Sequence, residues 1–131
     1  MKSDKAIYWS TTGIIALLMF ASACTFAFSS SAPGAFQHLG LPSTWFRVEL
    51  TVAKFLGVLA LVIPQVPYRM KEFAYFGFGL TLVSADIAHL SSGDPWWLVL
   101  FHGFFLTVLV TSFIYFHRMR GRDRWTGLPR P

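Results

Sequence analysis

The sequence predicts an all-α integral membrane protein, an antiparallel bundle of four transmembrane helices with both termini in the cytoplasm. Hydrophobic residues make up 54% of the 131 residues and charged residues only 13%, roughly half the charged fraction of a soluble domain. The apolar residues also fall into four runs, each close to the length that crosses the hydrocarbon core of a bilayer as a helix. Together, composition and run length predict the fold class.

The four predicted spans cover residues 7–28, 45–63, 73–91 and 96–116, and they form one membrane domain over residues 1–117. Residues 21–23 resemble a signal-peptide cleavage site, but the apolar run is long for a signal peptide, so we expect a retained first span. Pro33 and Gly34 are expected to break any helix in the long connection of residues 29–44. The apolar residues of that connection predict that it folds back over the bundle.

Basic residues collect on one side of this four-span arrangement. The residues on that side are Lys2, Lys5, Arg69, Lys71, Arg118, Arg120, Arg122, Arg124 and Arg130. The positive-inside rule therefore places both termini in the cytoplasm, with residues 118–131 as a basic tail that we expect to be poorly ordered. Scattered basic clusters suit anionic membrane lipids, whereas nucleic acid would require a continuous basic face and is not an expected partner.

Several kinds of chemistry are not supported by the sequence. Cys24 is the only cysteine, which excludes an intramolecular disulfide and a zinc site built from cysteines. Nucleotide-binding and metalloprotease motifs are absent from the sequence. Histidines on adjacent helices could ligate haem or a metal, but their spacing does not require it, so neither group is expected.

Besides Arg47 and Glu49 at the start of the second span, four charged or histidine residues lie inside the predicted spans: Lys54 in the second, Asp86 and His89 in the third, and His102 in the fourth. Such residues usually face a bundle interior, a partner or a water pocket. The rise of about 1.5 Å per residue places all four in the outer half of the membrane. The sequence therefore predicts a polar pocket there, with Lys54 paired to Asp86 and these four residues as candidate catalytic groups.

Arg47, Glu49 and His38 are weaker candidates, for binding a substrate. Glu49 lies more than about 100° around the helix from Lys54, so these two side chains should not pair. The partner of Glu49 stays open between Arg47 of a neighbour, Gln37 or His38 of the connection, and a second protomer. Its place in a first helical turn is also favoured by the helix dipole alone.

Several stretches resemble the DoxX-like family of small bacterial membrane proteins. They are HLGLP at residues 38–42, FRVELTVAKFLGVLALVIP at residues 46–64, KEFAYFGFGLTLVSADIAHLSSGD at residues 71–94, and the last span. The resemblance extends from Ile7 to about His117. It implies a four-helix bundle in a bacterial inner membrane, with links to quinone-dependent sulfur oxidation, membrane redox complexes and oxidative stress. Distant animal members act as receptor-assembly chaperones.

Three functions are compatible with these residues. The first is a redox-associated protein whose outer pocket binds a quinone or another lipophilic small molecule, working with a membrane redox partner or as a homo-oligomer. The second is a membrane-embedded acid/base enzyme, an isomerase or an epoxide-opening enzyme, with Asp86 as base or nucleophile and His89 or His102 as proton donor. The third is a scaffold or assembly factor in which Lys54 and Asp86 only fix helix packing.

Overall fold

The structure is a computed structural model that describes residues 2–126, where it contains five helices and no strand. The helices are α1 (Lys2–Phe28), α2 (Ala32–His38), α3 (Trp45–Val62), α4 (Tyr68–Ser91) and α5 (Trp97–Thr126). The predicted all-α class is confirmed. Residues 127–131 of the predicted tail, and the side chains of residues 123–126, lie outside the described part of the chain.

Both terminal helices are longer than the predicted spans. α1 begins at Lys2 and α5 continues to Thr126, so the prediction of a poorly ordered tail is wrong for residues 118–126. Asp4 of α1 is buried and pairs with Arg118 and Arg122 of α5. Because these ion pairs join the two helices beyond their apolar runs, they favour helix where hydropathy alone predicts none.

The connection between α1 and α3 contains the short helix α2, contrary to the expectation from Pro33. Proline lies in the first turn of α2, where a backbone N–H has no intrahelical partner and the fixed φ of proline suits the helix. Phe36 of α2 is buried and packs edge-on against Phe26 and Phe46. The prediction that this connection folds back over the helices is therefore confirmed.

Three helical segments are long and apolar enough to cross a membrane: Lys2–Phe28, Tyr68–Ser91 and Trp97–Arg122. α3 differs because its 18 residues include three charged side chains. Large apolar side chains such as Leu17 and Phe73 are 70% and 71% exposed. A surface of this kind suits lipid better than water.

The four long helices pack as a ring in which α1 contacts α3 and α5, and α4 also contacts α3 and α5. The buried residues at its centre are Ile15, Met19, Leu61, Tyr75, Phe78, Leu82 and Leu109. α3 and α4 are tightly packed at Gly57, where an added Cβ would lie 2.6 Å from Cζ of Phe78. A hydroxyl cluster also joins three helices, because Ser112 Oγ lies 2.7 Å from both Thr12 Oγ1 and Tyr75 Oη.

We call the two ends of the ring the loop end and the terminal end. The loop end contains α2, the start of α3 and the turn between α4 and α5, whereas the terminal end contains the start of α1 and the end of α5. Lys71 is buried at the terminal end, where Nζ donates to the carbonyls of Ala60, Leu61 and Ile63 at 2.7, 3.2 and 2.8 Å. Since the last carbonyls of a helix lack intrahelical partners, Lys71 completes the end of α3.

Candidate functional site

Asp86 of α4 and His102 of α5 form a hydrogen-bonded pair between their helices. Nδ1 of His102 lies 2.9 Å from Oδ1 of Asp86, and the side chains are 16% and 19% exposed, respectively. The ring nitrogen donates, because an ionised carboxylate can only accept. Each residue is one and a half turns from its helix end at the loops, so the pair lies about 8 Å from the loop end.

His89 extends this pair towards the loop end. Its ring stacks on the ring of His102 with centroids 5.4 Å apart and planes inclined by 20°. Nδ1 of His89 donates to Oδ2 of Asp94 at 2.7 Å, and Nε2 of His38 donates to Oδ1 of the same carboxylate at 2.7 Å. These five residues, from His38 through Asp94, His89 and His102 to Asp86, form what we call the histidine–aspartate chain.

Asp94 is the branch point of this chain and lies in the turn between α4 and α5. Hydrogen bonds from His89 and then from His38 hold the pKa of the Asp94 carboxyl below its usual value. The carboxylate is therefore ionised between two imidazoles at neutral pH. The His38 side chain is 55% exposed, so the histidine–aspartate chain reaches the surface at the loop end.

Lys54 does not join this chain, and the predicted ion pair between Lys54 and Asp86 is wrong. Nζ of Lys54 donates to Oγ of Ser22 at 2.6 Å and lies 3.8 Å from the ring centroid of Phe26. The side chain is buried against α1, whereas Asp86 faces α5. Position along a helix predicts depth, but packing decides which neighbour each face meets.

Arg47 also binds α1, because its Nη1 donates to the carbonyl of Phe26 in the last turn of that helix. Glu49 is exposed on the outside of α3, and its side chain has no hydrogen bond or ion pair with the residues that the structure describes. Gln37 and His38 are therefore not its partners within the chain. Arg47, Glu49 and Lys54 do not form one site together with Asp86.

A groove with a volume of about 550 Å³ lies between α4 and α5. Its walls are apolar except at one end, and they consist of Glu72, Tyr75, Phe76, Gly79, Leu80, Val83, Leu106, Leu109, Val110 and Phe113. Val83 and Leu106 are three and four residues from Asp86 and His102, so the groove begins about one helical turn below that pair. The sequence predicts a polar pocket near the loops, whereas the groove is apolar and extends towards the terminal end.

A second carboxylate–histidine pair lies at the terminal end of the groove. Oε1 of Glu72 is 3.3 Å from Nε2 of His117, and Nδ1 of His117 is 2.8 Å from the hydroxyl of Tyr68. The ring of His117 also packs edge-on against Phe113, with centroids 4.4 Å apart. An acidic residue and a histidine therefore flank the groove near each end.

Sequence reasoning missed Asp94, Glu72 and His117 as possible functional residues. Asp94 is in a turn, and Glu72 and His117 lie where charged residues are ordinary at a membrane interface. The sequence contained one signal, the glycine directly before Asp94: in the structure Gly93 has a φ of 75°, a conformation that glycine favours. It turns the chain so that the Asp94 N–H bonds to the His89 carbonyl at 3.0 Å, which brings the two side chains together.

The long apolar helices and their exposed apolar side chains indicate a multi-pass helical membrane protein. The model of the DoxX-like family matches residues 10–112. The chain therefore belongs to the DoxX-like family, as the resemblance in its sequence predicts. Neither a curated protein nor a solved structure matches the chain.

Proposed function

We propose that the chain crosses a bacterial inner membrane four times, with α3 as the fourth span of a four-helix bundle. α3 has 18 residues, which gives a length of about 27 Å, close to the thickness of the hydrocarbon core. Arg47 and Lys54 are turned onto α1, which lowers the cost of placing α3 in lipid. Arg69 and Arg118 lie at the terminal end, so the positive-inside rule supports cytoplasmic termini.

We further propose that the protein binds a quinone-like or other lipophilic small molecule in the groove between α4 and α5, with the polar head at Asp86 and His102. One observation carries this proposal. A carboxylate–imidazole pair lies about one turn above an apolar groove and connects through stacked and hydrogen-bonded groups to the exposed His38.

The chemistry of the pair suits a head group that exchanges protons. Apolar walls with the aromatic rings of Phe76 and Phe113 suit a ring or an isoprenoid tail. A quinone that is reduced to a quinol takes up protons together with electrons. His102 would donate a proton to the head group, while His89, stacked on His102, and Asp94 lie on the side from which a proton would be returned. Electrons would come from a membrane redox partner, in agreement with the association that the family resemblance implies.

Ligand-dependent thermal stability of the purified protein tests this proposal. We expect a short-chain quinone to raise the melting temperature of the wild type in lipid nanodiscs, and Asp86→Asn to remove most of that increase. Glu49→Gln is the matched control, because it neutralises a carboxylate on the outer face of α3, away from the groove. It should keep the full increase.

Two results would contradict the binding function. One is a wild type whose melting temperature does not respond to the quinone and whose lipid extract contains no quinone by mass spectrometry. The other is an Asp86→Asn variant whose melting temperature responds as strongly as that of the wild type. That result would show that the ligand does not bind at Asp86 and His102.

The second candidate, a membrane-embedded acid/base enzyme, is favoured by the same hydrogen-bonded dyad, in which Asp86 would act as base or nucleophile and His102 as proton donor. Unchanged turnover of an apolar epoxide or isomerisable substrate by Asp86→Asn would exclude this enzyme.

A scaffold function predicts that the Asp86–His102 pair is dispensable. An Asp86→Leu/His102→Leu variant should then keep both stability and function.

A further inference from the structure

We propose that the terminal end of the same groove is a second head-group site, formed by Glu72, His117 and Tyr68. Its ligand class is a neutral amphiphile with a hydroxyl-bearing head, such as a quinol, entering from the cytoplasmic leaflet. This inference rests on the proposed function for its ligand class and its membrane orientation. The site itself is independent of Asp86 and His102.

The residues of this second site contact one another and are accessible to a ligand. Glu72 lines the groove, and its carboxylate lies 3.3 Å from His117, which is fixed in turn by the hydroxyl of Tyr68 at 2.8 Å. The side chains of Glu72 and His117 are 36% and 37% exposed. A head group can therefore contact both residues without any helix moving.

An opening towards the lipid adjoins this site. A smaller groove of about 350 Å³ is lined by Arg69, Glu72, Phe73 and Phe76, so it shares Glu72 and Phe76 with the larger groove. The side chains of Phe73 and Phe76 are each 71% exposed. The shared residues give an apolar ligand a route from the surrounding lipid to Glu72.

The charges at this end disfavour a cationic head group. Arg69 lines the smaller groove with Glu72, and the guanidinium of Arg120 lies 3.2 Å from the ring centroid of Tyr68, so positive charge is in excess here. The carboxylate only accepts hydrogen bonds, whereas a neutral imidazole both donates and accepts. A hydroxyl can donate to a free lone pair of the Glu72 carboxylate, while His117 keeps its contacts with Glu72 and Tyr68.

The two sites are too far apart for one head group. Glu72 and Asp86 are separated by 14 residues of α4, which corresponds to about 21 Å along the helix axis. The groove between them therefore has one proton-exchanging pair for each membrane face. In the proposed orientation, Asp86 connects with the outside through the histidine–aspartate chain, and Glu72 lies next to the cytoplasm.

Site-resolved photolabelling tests this arrangement. The full chain in nanodiscs of zwitterionic lipid is labelled with a photoreactive short-chain quinol, and labelled peptides are mapped by mass spectrometry. We expect labels at residues 68–76 and 113–117 for the second site and at residues 83–86 and 102–106 for the first. Glu72→Gln should lower labelling of the second site by roughly tenfold and leave the first unchanged, because it removes a charged hydrogen-bond acceptor.

Matched variants separate folding from binding. His117→Gln should also lower labelling of the second site, while Asp86→Asn should lower only the first. Gly77→Ala is the control on α4, because Gly77 lines neither groove and an added Cβ there meets nothing within 4 Å. It should keep both sets of labels, whereas Gly79→Leu should weaken both by filling the groove.

Each outcome distinguishes the two proposals. Unchanged labelling of the second site in both Glu72→Gln and His117→Gln overturns this inference while the first site stands. Labels confined to the second site overturn the Asp86 site and leave this inference standing. Wild-type protein without labels at either end overturns both. Complete displacement of the second-site labels by phosphatidylglycerol would show a lipid-headgroup site and also overturn the inference.

Discussion

Asp94 accepts hydrogen bonds from His38 of α2 and His89 of α4, so one carboxylate holds the α1–α3 connection against the α4–α5 turn. Ser92 adds a weaker link, because its hydroxyl donates to the carbonyl of His38 at 3.3 Å. The packing of the loop end therefore depends on the ionisation of Asp94.

Replacing Asp94 by asparagine should destabilise the protein in a pH-dependent way. The histidine hydrogen bonds lower the pKa of Asp94 in the folded state, so the folded protein binds this proton more weakly than the unfolded chain does. The stabilisation is complete above the unfolded pKa of about 3.9 and is lost as pH falls through the lower folded pKa. Thermal unfolding in detergent should show Asp94→Asn melting below the wild type at about pH 6, with the difference vanishing in strong acid. A constant difference would contradict this account.

Lys54 is buried with one hydrogen bond, to Ser22, and one aromatic ring, that of Phe26. A double-mutant cycle should therefore show coupling between Lys54→Met and Ser22→Ala. In a second cycle that combines Lys54→Met with Asp86→Asn, the changes in unfolding free energy should add within about 0.5 kcal/mol, because Lys54 and Asp86 contact different helices. Free energies of unfolding in mixed micelles provide the measurement. Strong coupling between Lys54 and Asp86 would contradict this expectation and support the ion pair that the sequence predicts.

At the scale of helices, α3 and α4 leave no free space at one glycine. Gly57 faces the ring of Phe78, a residue that is only 4% exposed and packs in the core. The carbon atoms of that ring leave no room for a methyl group at position 57. The packing of α3 against α4 therefore depends on this glycine.

Gly57→Ala should lower the free energy of unfolding by about 1–3 kcal/mol, because the buried ring must shift to admit the new methyl group. Gly77→Ala is the matched control on α4, where an added Cβ meets nothing within 4 Å. That variant should be neutral or slightly stabilising, since alanine favours helix over glycine. Equal effects of the two substitutions would show that helix propensity, and not the contact with Phe78, decides the result.

Helix contacts also explain which site residues could be anticipated. The depth of Asp86 and His102 follows from their positions in the apolar runs, and the structure does bring this pair together. Their pairing was not predictable, because it depends on how far α4 and α5 are rotated about their axes. For the same reason the sequence assigns Lys54 the wrong partner and gives no indication that Glu72 meets His117.

For the whole molecule, the proposed four-span topology can be tested by cysteine labelling in intact cells. Cys24 is first replaced by alanine, and Ser91→Cys or Ser3→Cys is then introduced at exposed positions of the loop end and the terminal end. A membrane-impermeant maleimide should label Ser91→Cys directly, because the positive-inside rule puts the loop end outside. Ser3→Cys should react only after permeabilisation. Labelling of Ser3→Cys in intact cells would reverse the orientation.

The sequence by itself determined the all-α class, the apolar helices, the family and the positions of Asp86 and His102 along their helices. These properties follow from apolar run length, from family motifs and from a fixed rise per residue, all of which are local to the chain. Only the tertiary structure decided that Lys54 binds α1, that Asp94 joins two histidines, and that the groove lies between α4 and α5. Those contacts depend on the order of the helices in the ring and on their rotation about their axes. Both are determined jointly by residues that are distant in sequence.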